Sequence, residues 1–273
     1  MSRKTVRIIT LCVISTFAPC LYSAEEMEDQ TEDLFRLATG LYIRGDLYYG
    51  QAIIQFEEFL NRYPSDKRCD DAMFFLGKCL RKQGKYQEAL QVFLDHQKFN
   101  GSPKRDEANL RTGQIYFSLG KYTEAIQYLL KVYDKKQVDE SLAKSSALWL
   151  GRAYLKSSQP KKAIPVLTRV ADGKTNPWVP YANFYLGRAY RDARSFEKAI
   201  ERFEKAGATL PEKNAKAESL FMVAEAYANL KNYQKAYTAY KTLVEKHPAS
   251  PFHGQAAFGA VWSLYRDKNY GDA

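Results

Sequence analysis

Three histidines, four cysteines and a surplus of cations are the side chains of this 273-residue chain that could do chemistry. His96 stands alone, and His247 and His253 fall in a loop-like stretch without a neighbouring cysteine, so a surface role for that pair outweighs a zinc site. No glycine-rich phosphate loop and no G-x-S-x-G nucleophile turn occurs. Asn100-Gly101-Ser102 fits a glycosylation sequon, which matters only if a eukaryote makes the chain. Cys69 and Cys79, placed on one helix, would stand roughly 15 Å apart at about 1.5 Å per residue, beyond the ~7 Å reach of a disulfide. Cys79 reads as a small apolar core residue. No enzyme, metal or cofactor is expected. What remains is binding by charge, because 41 Lys and Arg face 31 Asp and Glu. Such a surplus suits an acidic peptide, an anionic lipid surface or nucleic acid, with lysine-rich solvated helix faces as the plainer alternative.

Those cations are positioned by a repeat. Ala52, Ala89, Ala125, Ala163, Ala199, Ala236 and Ala273 recur at intervals of 37, 36, 38, 36, 37 and 37 residues. Twelve residues before an alanine stands Gly77, Gly113, Gly151, Gly187 or Ala224, a small residue that admits a facing helix. Four residues after the alanine, Phe93, Leu129, Leu167, Phe203 or Tyr240 fills the space beside that contact. Three residues after the small residue comes Leu80, Tyr116, Tyr154, Tyr190 or Tyr227. Offsets of three, four and seven are helical, and a period of this length marks a stack of one supersecondary unit. Mean hydropathy of −0.48, with 45% hydrophobic and 26% charged residues, fits a folded helical array. The unbroken period argues for one continuous solenoid without an internal domain boundary. ADGKTNPWVP, from Ala171 to Pro180, is its most loop-like interruption.

These positions resemble the tetratricopeptide (TPR) family, in which Leu-Gly is followed by an aromatic, an alanine, a large residue and proline. LGRAYRDARSFEKAIERFEKAGATLP, from Leu186 to Pro211, carries nearly all of them, and Pro64, Pro211 and Pro248 take the closing position. The resemblance spans roughly Leu34 to Ala273 and implies an all-α, right-handed α-solenoid of about six and a half helix-turn-helix units. The long period comes from extended loops such as RYPSDKRCDDA and KHPASPFHGQA. That variant is similar to bacterial envelope TPR proteins, namely the periplasmic division coordinator of the Tol-Pal system and the TPR lipoprotein of the outer-membrane barrel-assembly machinery. Two departures stand out. Gly45 and Ala52 are seven residues apart where units two and three have five, and Pro165 falls inside a second helix, where it should kink or loosen it.

The resemblance implies a protein or peptide partner in the concave groove lined by the first helix of each unit. With the marker alanine as position twenty, inward positions five, six, nine and twelve supply Phe74, Lys78, Arg111, Trp149, Arg152, Phe184, Arg188 and Arg191, together with Phe75, Gln114, Phe117 and Tyr185. Aromatic surface beside a line of cations suits an acidic and apolar peptide. The chaperone-binding subtype is excluded, because Phe74 and Lys78 stand where its carboxylate clamp needs Lys and Asn.

The ends read differently. Arg3, Lys4 and Arg7 precede the apolar run IITLCVISTFA, too short to span a membrane, and EEMEDQTED starts at Glu25. Residues 1–24 are therefore a secretory signal peptide, 25–33 an acidic segment and 34–273 the solenoid. Without the leader, 38 basic and 31 acidic residues remain, a surplus near +7. Export points to the periplasm and against nucleic acid. Lipidation of Cys20, which would anchor the chain peripherally at the outer membrane, is the minority reading because Pro19 fits that signal poorly. The helix QAAFGAVWSLYRD is apolar on several sides and NYGDA reaches the seventh marker alanine, so further repeats or another domain are expected beyond residue 273. Two functions follow from different classes: an exported scaffold in the cell envelope, or the non-catalytic TPR segment of a larger enzyme acting on cell wall or surface polysaccharide.

Overall fold

The computed structural model describes residues 24–173 and 176–267, and among them thirteen α-helices and no strand occur. The leader with Cys20 and the seventh marker Ala273 lie outside those residues. α1 (Ala24–Arg44) and α2 (Tyr49–Arg62) form the first pair, followed by α3 (Cys69–Lys82) with α4 (Tyr86–Asp95) and α5 (Arg105–Ser118) with α6 (Tyr122–Tyr133). Next come α7 (Glu140–Lys156) with α8 (Pro160–Ala171), α9 (Val179–Asp192) with α10 (Phe196–Thr209), and α11 (Lys213–Asn229) with α12 (Tyr233–Lys246). α13 (His253–Arg266) opens the seventh unit. Each helix packs on its neighbours in sequence, and first helices also touch across units, as α5 with α7 and α7 with α9. The buried side chains accordingly form successive clusters along the chain instead of one centre. This is the solenoid expected from the repeat. The acidic residues 25–33 fall within the first turns of α1, continuous with the rest of that helix.

The small residues do what their spacing requires. A Cβ placed on Gly77 or Gly187 would come within 2.8 Å and 2.7 Å of the Phe93 and Phe203 rings, and on Gly113 or Gly151 within 2.6 Å and 2.4 Å of Leu129 and Leu167. In the sixth unit Ala224 takes the glycine's place, and the Tyr240 ring lies against Gly259 of α13, where a Cβ would stand 2.7 Å away.

Two backbone devices repeat with the same period. Between the helices of a pair, Gly84, Gly120, Ser158, Arg194 and Lys231, each five residues before a marker alanine, adopt φ of 75°, 75°, 58°, 59° and 59°. The next residue donates back to the first helix, as Lys85 N to Leu80 O at 2.9 Å and Ser195 N to Tyr190 O at 2.8 Å, satisfying carbonyls left free at the helix end. Between units, Asp66, Ser102, Asn176 and Ser250 accept through their side chains from the amide two residues on, and their carbonyls accept from the first residue of the next helix. The extended loops are thus ordered entries into α3, α5, α9 and α13. A non-glycine residue in the left-handed region costs about 1 kcal/mol. Arg194→Gly is therefore expected to raise the urea midpoint of unfolding, while Gly84→Arg should lower it.

Both irregularities in the repeat have local accounts. The two extra residues of the first unit are taken up by a three-residue 3-10 turn, Asp46–Tyr48, before α2 begins. α8 runs on through Pro165 from Pro160 to Ala171. Pro165 and Lys161, whose carbonyl loses its donor, both lie on the exposed face, where water can replace the bond.

Cys69 and Cys79 are buried free thiols. Cys69 donates to the Tyr63 carbonyl at 3.0 Å, and burial pushes the Cys79 thiol up to about 12. His96 is fully buried between the Phe74 and Phe99 rings, beside Asp70, so it is a core residue. Burial lowers its pKa, with Asp70 acting in the opposite direction.

Candidate partner-binding site

The first helices present a repeating register. Position five is core in units two to six: Phe74, Leu110, Leu148, Phe184 and Phe221 are 2%, 1%, 5%, 8% and 8% exposed. Phe74 packs edge-on against Phe93 with centroids 6.1 Å apart, and Phe184 against Phe203 at 5.8 Å. The assignment of Phe74 and Phe184 to the groove is therefore corrected. A side chain at that position turns toward the second helix of its own unit and fills the space over the crossing glycine. In the same units positions six, nine and twelve remain half-buried except at Gln114, which is buried, and they form the accessible line along the first helices. Its aromatic surface comes from Phe75, Phe117, Trp149 and Tyr185.

The cations along this line differ in what they already hold. Lys78 and Arg111 converge on Glu107, at 3.6 Å and 2.7 Å, and Arg111 also donates to Gln114 at 3.2 Å. Burial opposes ionisation of Glu107, but the Arg111 hydrogen bonds and the Lys78 charge outweigh it and hold the carboxyl below its usual range. Lys78 further lies over the Tyr42 ring at 5.4 Å. Arg191 pairs with Asp192 at 2.8 Å and donates to the Met222 sulfur at 3.0 Å. Neighbouring Glu225, pushed upward by burial, is lowered by Arg191. The contacts of Glu107 with Lys78, and of Met222 and Glu225 with Arg191, cross unit boundaries and are not legible in the sequence, whereas the Glu107–Arg111 pair lies within one helix at i,i+4.

Arg152 and Arg188 are different. The Arg152 guanidinium lies 3.9 Å from the centre of the Trp149 ring and 5.0 Å from those of Phe117 and Tyr185, a box of three aromatic rings. Phe117 and Trp149 brace one another at 5.3 Å in a T-shaped contact. Burial lowers the Arg152 pKa, Tyr185 opposes that, and the Arg188 charge adds to the lowering. Among the described residues neither arginine forms an ion pair with a carboxylate. A hollow of about 160 Å3 opens beside them, lined also by Leu155, Lys156 and Asp192. The hollow thus presents two cations without acidic partners, one of them desolvated against aromatic faces.

The described residues contain no group of three or more metal-ligating side chains, and none of their helices is long and apolar enough to cross a membrane.

Residues 46–132 match the family model of the anaphase-promoting complex, cyclosome, subunit 3, and residues 148–214 and 218–250 match tetratricopeptide-repeat models. No curated protein sequence matches the chain. Among solved structures, PilW, described as a widely conserved type IV pilus biogenesis factor, is similar with a TM-score of 0.65 at 21% identity, covering 84% of this chain and 98% of its own. Pseudomonas aeruginosa pilF gives 0.61 at 16% identity, with 84% and 96% covered. YrrB, described as a TPR protein with an unusual peptide-binding site, gives 0.59 at 19% identity, with 74% and 97% covered. At these identities the likeness is one of fold.

Proposed function

We propose that this chain, a solenoid of tetratricopeptide repeats, is an exported scaffold that holds an acidic protein or peptide partner on its first-helix face, in assembly or maintenance of a bacterial cell envelope. The observation behind this reading is Arg152, boxed by three aromatic rings, with Arg188 beside it on the same hollow and neither paired to a carboxylate among the described residues. Unpaired, desolvated cations are costly unless a partner supplies the counter-charge. Glu107 already satisfies Lys78 and Arg111, so these help to shape the inner line and Arg152 with Arg188 does the recognising. No catalytic step is proposed, and binding alone is the activity.

Export and the envelope setting rest on the leader-like run from Arg3 to Ala18 and on the extended inter-unit loops that resemble the Tol-Pal coordinator and the barrel-assembly lipoprotein. That the similarly folded PilW is a type IV pilus biogenesis factor supports the same setting. Periplasmic residence is proposed, with outer-membrane anchoring through Cys20 as the variant reading. The test is reversible crosslinking of the full chain in intact bacterial cells, followed by fractionation and identification of the captured protein. The proposal expects an envelope protein that binds the purified chain directly and more weakly at high salt. Recovery of the chain with cytoplasmic partners alone would contradict it.

A further inference from the structure

A groove on the opposite face, between the second helices α10 and α12, is independent of the site above. It encloses about 560 Å3, and α11 forms its floor through Leu220, Val223 and Tyr227. The repeat register explains why it opens there. Eight residues after one marker alanine and three after the next, the successive junctions carry Leu60 with Val92, Gln97 with Tyr128, Tyr133 with Val166, and Ala171 with Arg202. The junction of units five and six carries Gly207 with Ala239. Each earlier pair includes at least one long or branched side chain, and Arg202 reaches across its junction to Asp172 and Asn183. At Gly207 and Ala239 nothing spans the gap. A second hollow lined by Glu197, Ile200, Leu230 and Asn232 shares Tyr227 and Lys235 with the first, so the trough follows α10 over most of its length.

The rim is cationic. Lys216, Lys235, Lys246 and His247 line it against Glu204, and among the described residues the three lysines form no ion pair. Lys235 lies over the Tyr227 ring at 5.5 Å. Lys216 is half-buried and lines the groove beside its apolar floor.

We propose that this groove is a second docking site and that its occupant is an amphipathic helix of a partner protein, with an apolar stripe at i, i+4, i+7 and i+11 flanked by acidic residues. An extended peptide would find only helices around it and no strand edge to pair with, whereas a helix satisfies its own backbone. The two flanking helices are 14 residues each, about 21 Å at 1.5 Å per residue, which matches roughly four turns of a guest. The open trough would leave one side of a lipid chain in water, and the free lysines complement carboxylates on the guest.

The probe is a fluorescein-labelled synthetic helix of about 18 residues with leucines on that stripe and glutamates beside it, compared with the same peptide bearing lysines, both titrated into the intact chain by anisotropy. The glutamate peptide is expected to bind at least about tenfold more tightly. Lys216→Glu with Lys246→Glu should remove or reverse that preference, and Gly207→Leu with Ala239→Leu should weaken binding about tenfold or more. Arg188→Glu should leave it unchanged. If the bulky pair unfolds α10, the charge reversal at the rim still decides, and Lys246→Glu alone, at an exposed position, carries the same test. Equal affinity of the two peptides, indifference to the lysine reversal, or loss of binding with Arg188→Glu overturns the proposal. So does groove-dependent binding of phosphatidylglycerol vesicles without binding of the peptide.

Discussion

Reversing both arginines of the inner face, Arg152→Glu with Arg188→Glu, is expected to weaken capture of the acidic partner by about a hundredfold or more while helicity by circular dichroism stays unchanged. A hundredfold corresponds to about 2.8 kcal/mol, within the range for removing one side of a desolvated charged contact. Both charges change sign at a hollow that Asp192 already makes partly acidic. The result is specific to these two. Lys78→Glu and Arg111→Glu break pairs with Glu107 inside the chain and are expected to cost less affinity. Arg152→Lys should retain only part of the binding, since a lysine cannot reproduce the planar stack 3.9 Å over Trp149. Arg188→Glu alone guards against the objection that Arg152 supports the fold, because among the described residues Arg188 has no ion pair to lose. Unchanged capture by both the double and the single variant would remove the site.

The second large effect is on stability. Gly151→Val would place a branched side chain where even a Cβ comes within 2.4 Å of fully buried Leu167. Overpacking of this kind costs about 1–3 kcal/mol. The upper end is expected here, because both helix backbones are fixed by neighbouring units. Leu167→Ala alone should cost about 2–5 kcal/mol through its cavity. Gly151→Ala with Leu167→Ala should cost clearly less than the sum of the single changes, since the added methyl occupies part of the space released. Urea unfolding of the parent, Gly151→Ala, Leu167→Ala and the double variant measures this, with Gly151→Val unfolded alongside. Simple additivity would mean that the glycine is not the crossing point.

The same two positions explain how much the sequence discloses. The crossing residues and their large partners were readable because each is one chemical type at a fixed offset, repeated five times. The left-handed turn was not. It is glycine at 84 and 120 but serine, arginine and lysine at 158, 194 and 231, so composition hides a conformation that the backbone hydrogen bonds impose. At the inner face the error was one of angle. Positions five and six are adjacent on a helix and about 100° apart, and a phenylalanine at five satisfies either a partner or Phe93. Only the closeness of α3 to α4 and of α9 to α10 assigns Phe74 and Phe184 to the core. Glu107 escaped notice because its bond to Lys78 joins different units.

One irregularity follows from the same logic. Phe258 occupies position five of the seventh unit and is 71% exposed, whereas its five counterparts are buried beneath the second helices of their own units. Trp262 and Tyr265 stack beside it with centroids 5.4 Å apart.

The central claim is that a partner occupies the first-helix face beside Arg152 and Arg188. Its most direct measurement places a photoreactive amino acid at Leu155, inside that hollow, and at Gln91, on the exposed face of α4, in the full chain in living cells. The account predicts a discrete adduct from position 155 that disappears with Arg188→Glu and no matching adduct from position 91. Equal adducts from both positions, or an adduct at 155 indifferent to Arg188→Glu, would contradict it.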